Sequence, residues 1–214
     1  MRFTEARRRL EHLPDVLPPA PMALDPEVLA QGLEAPAWVR RGIDGPSRDA
    51  AVLVLLYPDT AGEATLVLTA RPEGDLRHAG QVSFPGGAAD PGDDFPDGTA
   101  LREAAEEVGL DAAAAGVRIV GRLDLVDVRV SGFLLVPVVA LAEREPVLTP
   151  DPREVAAILR VPVRHFLPDA PILMVEAERD GWRMRYGAFP VGEQRIWGAT
   201  ARVLGQLGAV LGRP

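Results

Sequence analysis

At 214 residues and 47% hydrophobic content the chain can bury a sizeable core, and it fits one domain with short terminal additions better than two full domains. It has no cysteine, which excludes disulfide staples, thiol nucleophiles and cysteine metal sites. A formal charge of −8, with all 23 basic residues arginine, argues against nucleic-acid binding, and it requires an anionic small molecule to be captured locally instead of being steered by the whole field.

Taken in chain order, Thr4 to His12 predicts a short helix with a basic face, broken into an extended connector by Pro14, Pro18, Pro19 and Pro21. Asp25 to Gly32 predicts another short helix, with Asp25 as cap and Pro26 at its first position. Residues 1–45 are therefore read as an extension packing on a domain at 46–214, and a homodimer contact is one role open to it. No signal-peptide run is present, and the longest apolar stretch, Phe133 to Ala142, is interrupted by Pro137. The expectation is a soluble cytoplasmic protein with no membrane partner.

Ala50 to Tyr57 reads as a buried strand, joined through a hairpin loop at Pro58 to Gly62 to a second strand, Ala64 to Ala70. Val117 to Val130 predicts one or two strands, and Phe133 to Ala142 a buried strand whose Pro137 suggests an edge or a bulge. Pro152 to Leu159 predicts a short helix. Gly181 to Phe189 carries Trp182, Met184 and Tyr186 at strand spacing, and Ala199 to Leu211 has apolar residues at helical spacing. Strands flanked by helices on both sides make an α/β/α layered fold.

The chemistry concentrates at Arg102 to Leu110, which reads Arg-Glu-Ala-Ala-Glu-Glu-Val-Gly-Leu and follows a loop that opens with Phe84-Pro85-Gly86-Gly87. At about 100° per residue, Glu103, Glu106 and Glu107 share an arc of roughly 100°, with Leu101, Ala104, Ala105 and Val108 assigned to a packing side. Like charges three and four residues apart repel, and within the segment only Arg102, at i,i+4 from Glu106, offsets them. Hard cations such as Mg2+ or Mn2+ take oxygen ligands from a few carboxylates plus substrate phosphates, which matches this face. Glu107 is expected to be exposed, and Gly109 to close the helix.

These residues resemble the box of the Nudix hydrolases, Gly-x5-Glu-x7-Arg-Glu-U-x-Glu-Glu-x-Gly-U, with U aliphatic. The second half matches completely. Counting back from Arg102 puts the first acid on Asp94 and the opening glycine on Ala88, while a loop one residue longer uses Asp93 and Gly87. Upstream, Leu68-Thr69-Ala70-Arg71 and Arg77-His78-Ala79-Gly80-Gln81-Val82-Ser83-Phe84-Pro85-Gly86-Gly87 resemble the segment that marks coenzyme A pyrophosphatases within that superfamily, with Pro72 and a one-residue shift of Arg77 as departures. Pro150 to Pro162, with Glu154, and Ile196 to Ala201 also resemble that subfamily.

The resemblance implies a Nudix-type α/β/α sandwich around a mixed sheet. It implies hydrolysis of the pyrophosphate bond of coenzyme A or an acyl derivative, with Mg2+ or Mn2+ as cofactor and a small-molecule substrate as partner. Glu103 and Glu107, one turn apart, are the first choice of metal ligands, with Glu106 sharing a metal or orienting water. Arg102 pairs with Glu106 and fixes its rotamer. Gly86 and Gly87 let backbone approach metal or phosphate, and Arg71 contacts phosphate, as do Arg77 and His78 with less support. The catalytic set is thus Glu106, Glu103 and Arg102, with the general base open among Glu106, Glu103 and Glu154. Glu154 reads equally well as a solvent-facing acid. Trp197 is read as a core anchor before an adenine-stacking ring, and Trp38, Trp182 and Tyr186 likewise. The rival readings are the same chemistry on ADP-ribose or a dinucleotide, and a non-catalytic nucleotide-binding module, which would predict a damaged acidic face.

Overall fold

A computed structural model describes residues 1–30, 47–72, 81–128, 131–179 and 181–213. In chain order the described strands are β1 (Glu27–Ala30), β2 (Arg48–Pro58), β3 (Ala64–Ala70), β4 (Val82–Ser83), β5 (Gly86–Ala88), β6 (Arg118–Arg122), β7 (Val126–Val128), β8 (Phe133–Leu141), β9 (Ala157–Pro162), β10 (Leu173–Arg179), β11 (Trp182–Val191) and β12 (Gln194–Ile196). The helices are α1 (Phe3–Leu10), α2 (Asp97–Val108), α3 (Ala112–Ala115) and α4 (Gly198–Leu211), with short 3-10 turns at Met22–Leu24 and Val163–Phe166.

Alternation along β2 organises the layers. Val52, Val54 and Leu56 face one core with α1 and α4, while Ala51, Leu53, Leu55 and Tyr57 face a second core with Ala100, Ala104 and Val108 of α2. Successive strand side chains point to opposite faces, so a strand covered on both sides is apolar throughout. β8 lies parallel to β2, from Arg48 opposite Phe133 to Leu56 opposite Leu141, and splits its side chains in the same way. The other pairings in this sheet, of β2 with β3 and β5, β3 with β4 and β9, and β8 with β6 and β7, are antiparallel. The result is an α/β/α sandwich on a mixed sheet. A smaller antiparallel sheet, β1-β11-β10 with β12 beside β11, lies next to it.

Three expectations need correction. Asp25 to Gly32 is not helical within the described residues. Leu24 ends a 3-10 turn and β1 follows, because Val28 pairs with Met184 of β11, so a long-range ladder overrides the local cap signal; residues 31 and 32 lie outside the described residues. Pro152 to Leu159 ends as strand, since Ala157–Pro162 pairs with β3 along Thr65–Ala70. Pro137 lies at no edge, for β8 is central, and of the two readings the bulge holds: between the Arg122–Val138 and Val126–Leu135 pairs, Leu123 to Leu125 oppose only Val136 and Pro137. Its carbonyl accepts from Leu123 N–H at 3.0 Å, and its missing N–H points to the same side, into the break between β6 and β7 where no ladder acceptor is lost.

α1 buries Phe3, Ala6 and Leu10. Its start is bonded to the β2–β3 hairpin through Phe3 N–H to Gly62 O and Ala64 N–H to Met1 O, both 3.0 Å. Among the described residues no helix is long and apolar enough to cross a membrane.

Candidate active site

The glycine turn is shaped by β2. Gly86 and Gly87 pair with Val52 and Ala51, and Gly86 sits at φ +154°, where a Cβ would collide with the Ala51 carbonyl and come within 2.6 Å of Val52 Cα. Only glycine fits that position. α2 crosses directly above Gly87, so a Cβ there would lie 2.6 Å from the Glu103 carboxylate. Gly109, left-handed at φ 64°, ends α2 with Leu110 N–H returning to Ala104 O at 3.2 Å.

The three acids differ in depth. Glu107 is 6% exposed, whereas the side chains of Glu103 and Glu106 are 15% and 60% exposed. At about 100° per residue Glu107 falls beside the packed Ala100 and Ala104, Glu103 about 40° farther round and Glu106 about 60° beyond that. Glu107 is therefore buried and Ala105 exposed, both against expectation, because the packed stripe is centred on Ala100, Ala104 and Val108.

Burial pushes the Glu107 carboxyl up to about 7. The Gly86 N–H, 3.4 Å from Oε2, and the Arg71 charge oppose the rise, while Glu103 and Glu154 add to it. Glu103 is raised as well, chiefly by burial, against the pull of Arg102. Glu154 is exposed, yet its charge acts on both acids. Its turn is fixed to α2 through Asp151 N–H to Glu107 O at 2.9 Å.

Arg102 ties the loop to the helix. Its Nε and Nη2 donate to Asp93 at 3.1 and 3.0 Å, Nη2 also to Ala88 O at 3.1 Å, and Nη1 pairs with Glu106 at 3.0 Å and Glu103 at 3.1 Å. Arg102, the Asp90 N–H and the Thr99 hydroxyl hold the Asp93 carboxyl well below the usual carboxylate range. Asp93, not Asp94, thus occupies the structural acid position, and the longer loop opening on Gly87 is the one adopted.

Among the described residues no three acidic or imidazole side chains converge as a preformed metal cluster. What the site offers is a buried carboxylate, Glu107, with one long N–H contact, and beside it the part-buried Glu103, paired on one side with Arg102. A hard divalent cation that takes one or two protein carboxylates and completes its shell with water and phosphate fits this donor set. Glu103 and Glu107 are the two carboxylates that could hold it. Glu106, drawn to Arg102, stands at the rim.

Beside the acids opens a cleft of about 480 Å³ that shares Arg71, Gly86 and Gly87 with them. Phe84, Phe133, Leu135 and Val203 give it an apolar wall, and Gln81, Ser131 and Thr200 supply polar groups. Trp197 also lines it, 41% exposed and tilted against Tyr186 with ring centroids 5.1 Å apart. The core-anchor reading of Trp197 is overturned. It precedes α4 in extended conformation (φ −138°, ψ 179°), and Gly198 follows at φ 66°, so the ring stands off the packed face of the helix and lines the cleft. That glycine directly after the Trp was the available signal. Tyr186 is half-buried against Trp197, and Trp182 is half-buried in β11. Arg77, His78 and Trp38 lie outside the described residues.

Residues 47–180 match the NUDIX domain family. The chain belongs to the Nudix hydrolases. This Nudix hydrolase is 36% identical over 193 residues, 89% of its length and 96% of the relative's, to a Pectobacterium atrosepticum protein described as an uncharacterized Nudix hydrolase, NudL. The NudL of Yersinia enterocolitica is 37% identical over 75% of this chain and 80% of its own. A MutT/nudix family protein from Enterococcus faecalis shares the fold at a TM-score of 0.50 and 16% identity, over 83% of this chain and 63% of that one.

Proposed function

We propose that this Nudix hydrolase cleaves the pyrophosphate linkage of coenzyme A or an acyl derivative, giving 3′,5′-ADP and a 4′-phosphopantetheine species, with Mg2+ or Mn2+ as cofactor. The observation that carries the reading is the position of buried Glu107 and part-buried Glu103 over the Gly86-Gly87 turn, beside a cleft that also presents Arg71. The Leu68 to Gly87 segment, which resembles coenzyme A pyrophosphatases, supports the substrate.

When bound, the metal supplies charge neutralisation on the phosphoryl oxygens and activates the attacking water. Glu103 and Glu107 would hold it from α2. Glu106 would orient water or share the metal. Arg71, whose charge already acts on Glu107, binds a phosphate oxygen. Gly86 and Gly87 let the anion approach backbone closely. Glu154, Glu106 and Glu103 are the groups within electrostatic range that can take the proton. Arg77 and His78 are assigned supporting phosphate contacts on the segment resemblance alone. With a formal charge of −8, the chain relies on these local cations for capture.

The test compares coenzyme A with ADP-ribose and NADH at equal concentration and identifies the products. The reading expects coenzyme A to be the fastest, with 3′,5′-ADP released. Equal or better turnover of either competitor, or loss of the 3′-phosphate instead, refutes it. Glu107→Gln is expected to abolish metal-dependent release.

A further inference from the structure

We infer that Trp197, braced by Tyr186, is the stacking platform for the purine base of the substrate, and so the residue that makes the cleft prefer nucleotides over base-free phosphates. This rests on the proposed pyrophosphohydrolase reading for its substrate class, though its geometry stands apart from the acids. Among the described residues three aromatic rings line the cleft. Phe84 is 3% exposed, with no free face to offer. Phe133 carries the Arg48 guanidinium 4.4 Å from its ring centroid, so one of its faces is already covered by a cation. Among the described rings of the cleft, Trp197 alone is exposed, at 41%, and so has a face to offer.

Its setting is also rigid. Tyr186 in β11 packs against the indole at 5.1 Å and 32° between planes, and β11 is held on both sides by β1 and β10. The backbone just after the ring is fastened to the cleft floor by Thr200 Oγ1 donating to Val82 O at 3.1 Å. A ring held in place before the ligand arrives loses little freedom on binding. Stacking reads a flat π-face and not a hydrogen-bond pattern, so the platform gives a preference for nucleotides in general, with base identity left to other contacts.

The experiment measures the affinity of adenosine 5′-phosphate and of ribose 5-phosphate, which differ only in the base, by calorimetry on the full chain, with 4′-phosphopantetheine as a third probe. The wild type is expected to bind the nucleotide about 5- to 150-fold more tightly than ribose 5-phosphate, the range for one stacked base. Trp197→Leu, which keeps apolar bulk, should remove most of that ratio, and Trp197→Phe should restore part of it. A packing role would leave the ratio equal in the two variants. The inference is overturned if the wild type shows no such ratio, if Trp197→Leu retains it, or if the variant weakens 4′-phosphopantetheine and spares the nucleotide. Because no probe is hydrolysed, the two readings fail separately. Uncut coenzyme A with a Trp197-dependent ratio sinks only the substrate assignment, and cleaved coenzyme A with an unchanged ratio in Trp197→Leu sinks only the platform.

Discussion

Gly87→Ala separates the catalytic role of the glycine turn from its structural one. The added Cβ would stand 2.6 Å from Cδ, Oε1 and Oε2 of Glu103. Ordinary contact begins near 3.5 Å, so the carboxylate has to retreat by about 1 Å, and a misplacement of that size is worth roughly 100-fold in rate, or about 2.7 kcal/mol of transition-state stabilisation. Stability should hardly change. The obstructing atoms are the end of a flexible side chain, and a Gly to Ala change at an accessible backbone conformation stiffens the unfolded chain by about 0.4 to 1 kcal/mol, so the melting temperature should stay within about 4 °C. Gly86→Ala is the contrast, since its Cβ meets backbone of β2 at a φ of +154° and has nowhere to go without lifting β5. There a loss of about 3 kcal/mol or more, about 6 to 12 °C, is expected with the activity. The assay pairs metal-dependent coenzyme A hydrolysis with thermal melts. If Gly87→Ala keeps activity within threefold of the wild type, Glu103 has no need of its observed position. If its activity and melting temperature fall together, the glycine is a packing residue.

Three further outcomes follow from the same geometry. Chelated protein should lose stability as pH rises from about 4.5 to about 7, because folded Glu107 keeps a proton that the unfolded chain gives up; at 1.36 kcal/mol per pH unit this amounts to about 3 kcal/mol, and Glu107→Gln should flatten the slope of melting temperature against pH. Mn2+ at about 100 times its dissociation constant should add about 2.7 kcal/mol, or about 5 to 10 °C, with Glu103→Gln losing most of that shift in differential scanning calorimetry. Arg102→Lys keeps the charge and loses the fork that spans Asp93 and Glu106, so metal affinity by titration should fall about 10- to 100-fold; wild-type affinity in this variant would show that the loop needs no guanidinium.

The legible part of the chain is the part decided locally. The two strands of the β2–β3 hairpin, the helix that carries the acids and the closing Gly109 follow from periodicity and from residue types only a few positions apart. Burial within the acidic helix was misread because periodicity defines an apolar arc and not its centre. Small residues such as Ala100, Ala104 and Ala105 leave that centre undetermined until β2 and β5 pack against it, and the packing then takes Glu107 in and leaves Ala105 out. β1 and β9 were lost for the complementary reason. Asp25-Pro26 and the start of the Pro152 to Leu159 segment are sound local helix signals, yet the chain beyond them is claimed by the free edges of β11 and β3, and a ladder of long-range hydrogen bonds outweighs a propensity of a few tenths of a kcal/mol per residue.

The site itself spans both faces of the sheet. Val52 and Val203 line the cleft on the side of α1 and α4, whereas Glu103 and Glu107 hang from α2 on the other side. What lies between them at the edge of β2 is the backbone of Gly86 and Gly87, whose missing Cβ atoms would point to opposite faces, one at Val52 and one at Glu103. Two consecutive glycines at this edge therefore act as a window. Under the proposed function, a phosphate seated against them would be reachable by the acids from above, with the remainder of the substrate in the cleft below, next to Trp197. A single glycine would clear only one side, which accounts physically for why the turn needs both and why the acids and the cleft can belong to one reaction although no side chain of α2 lines the cleft.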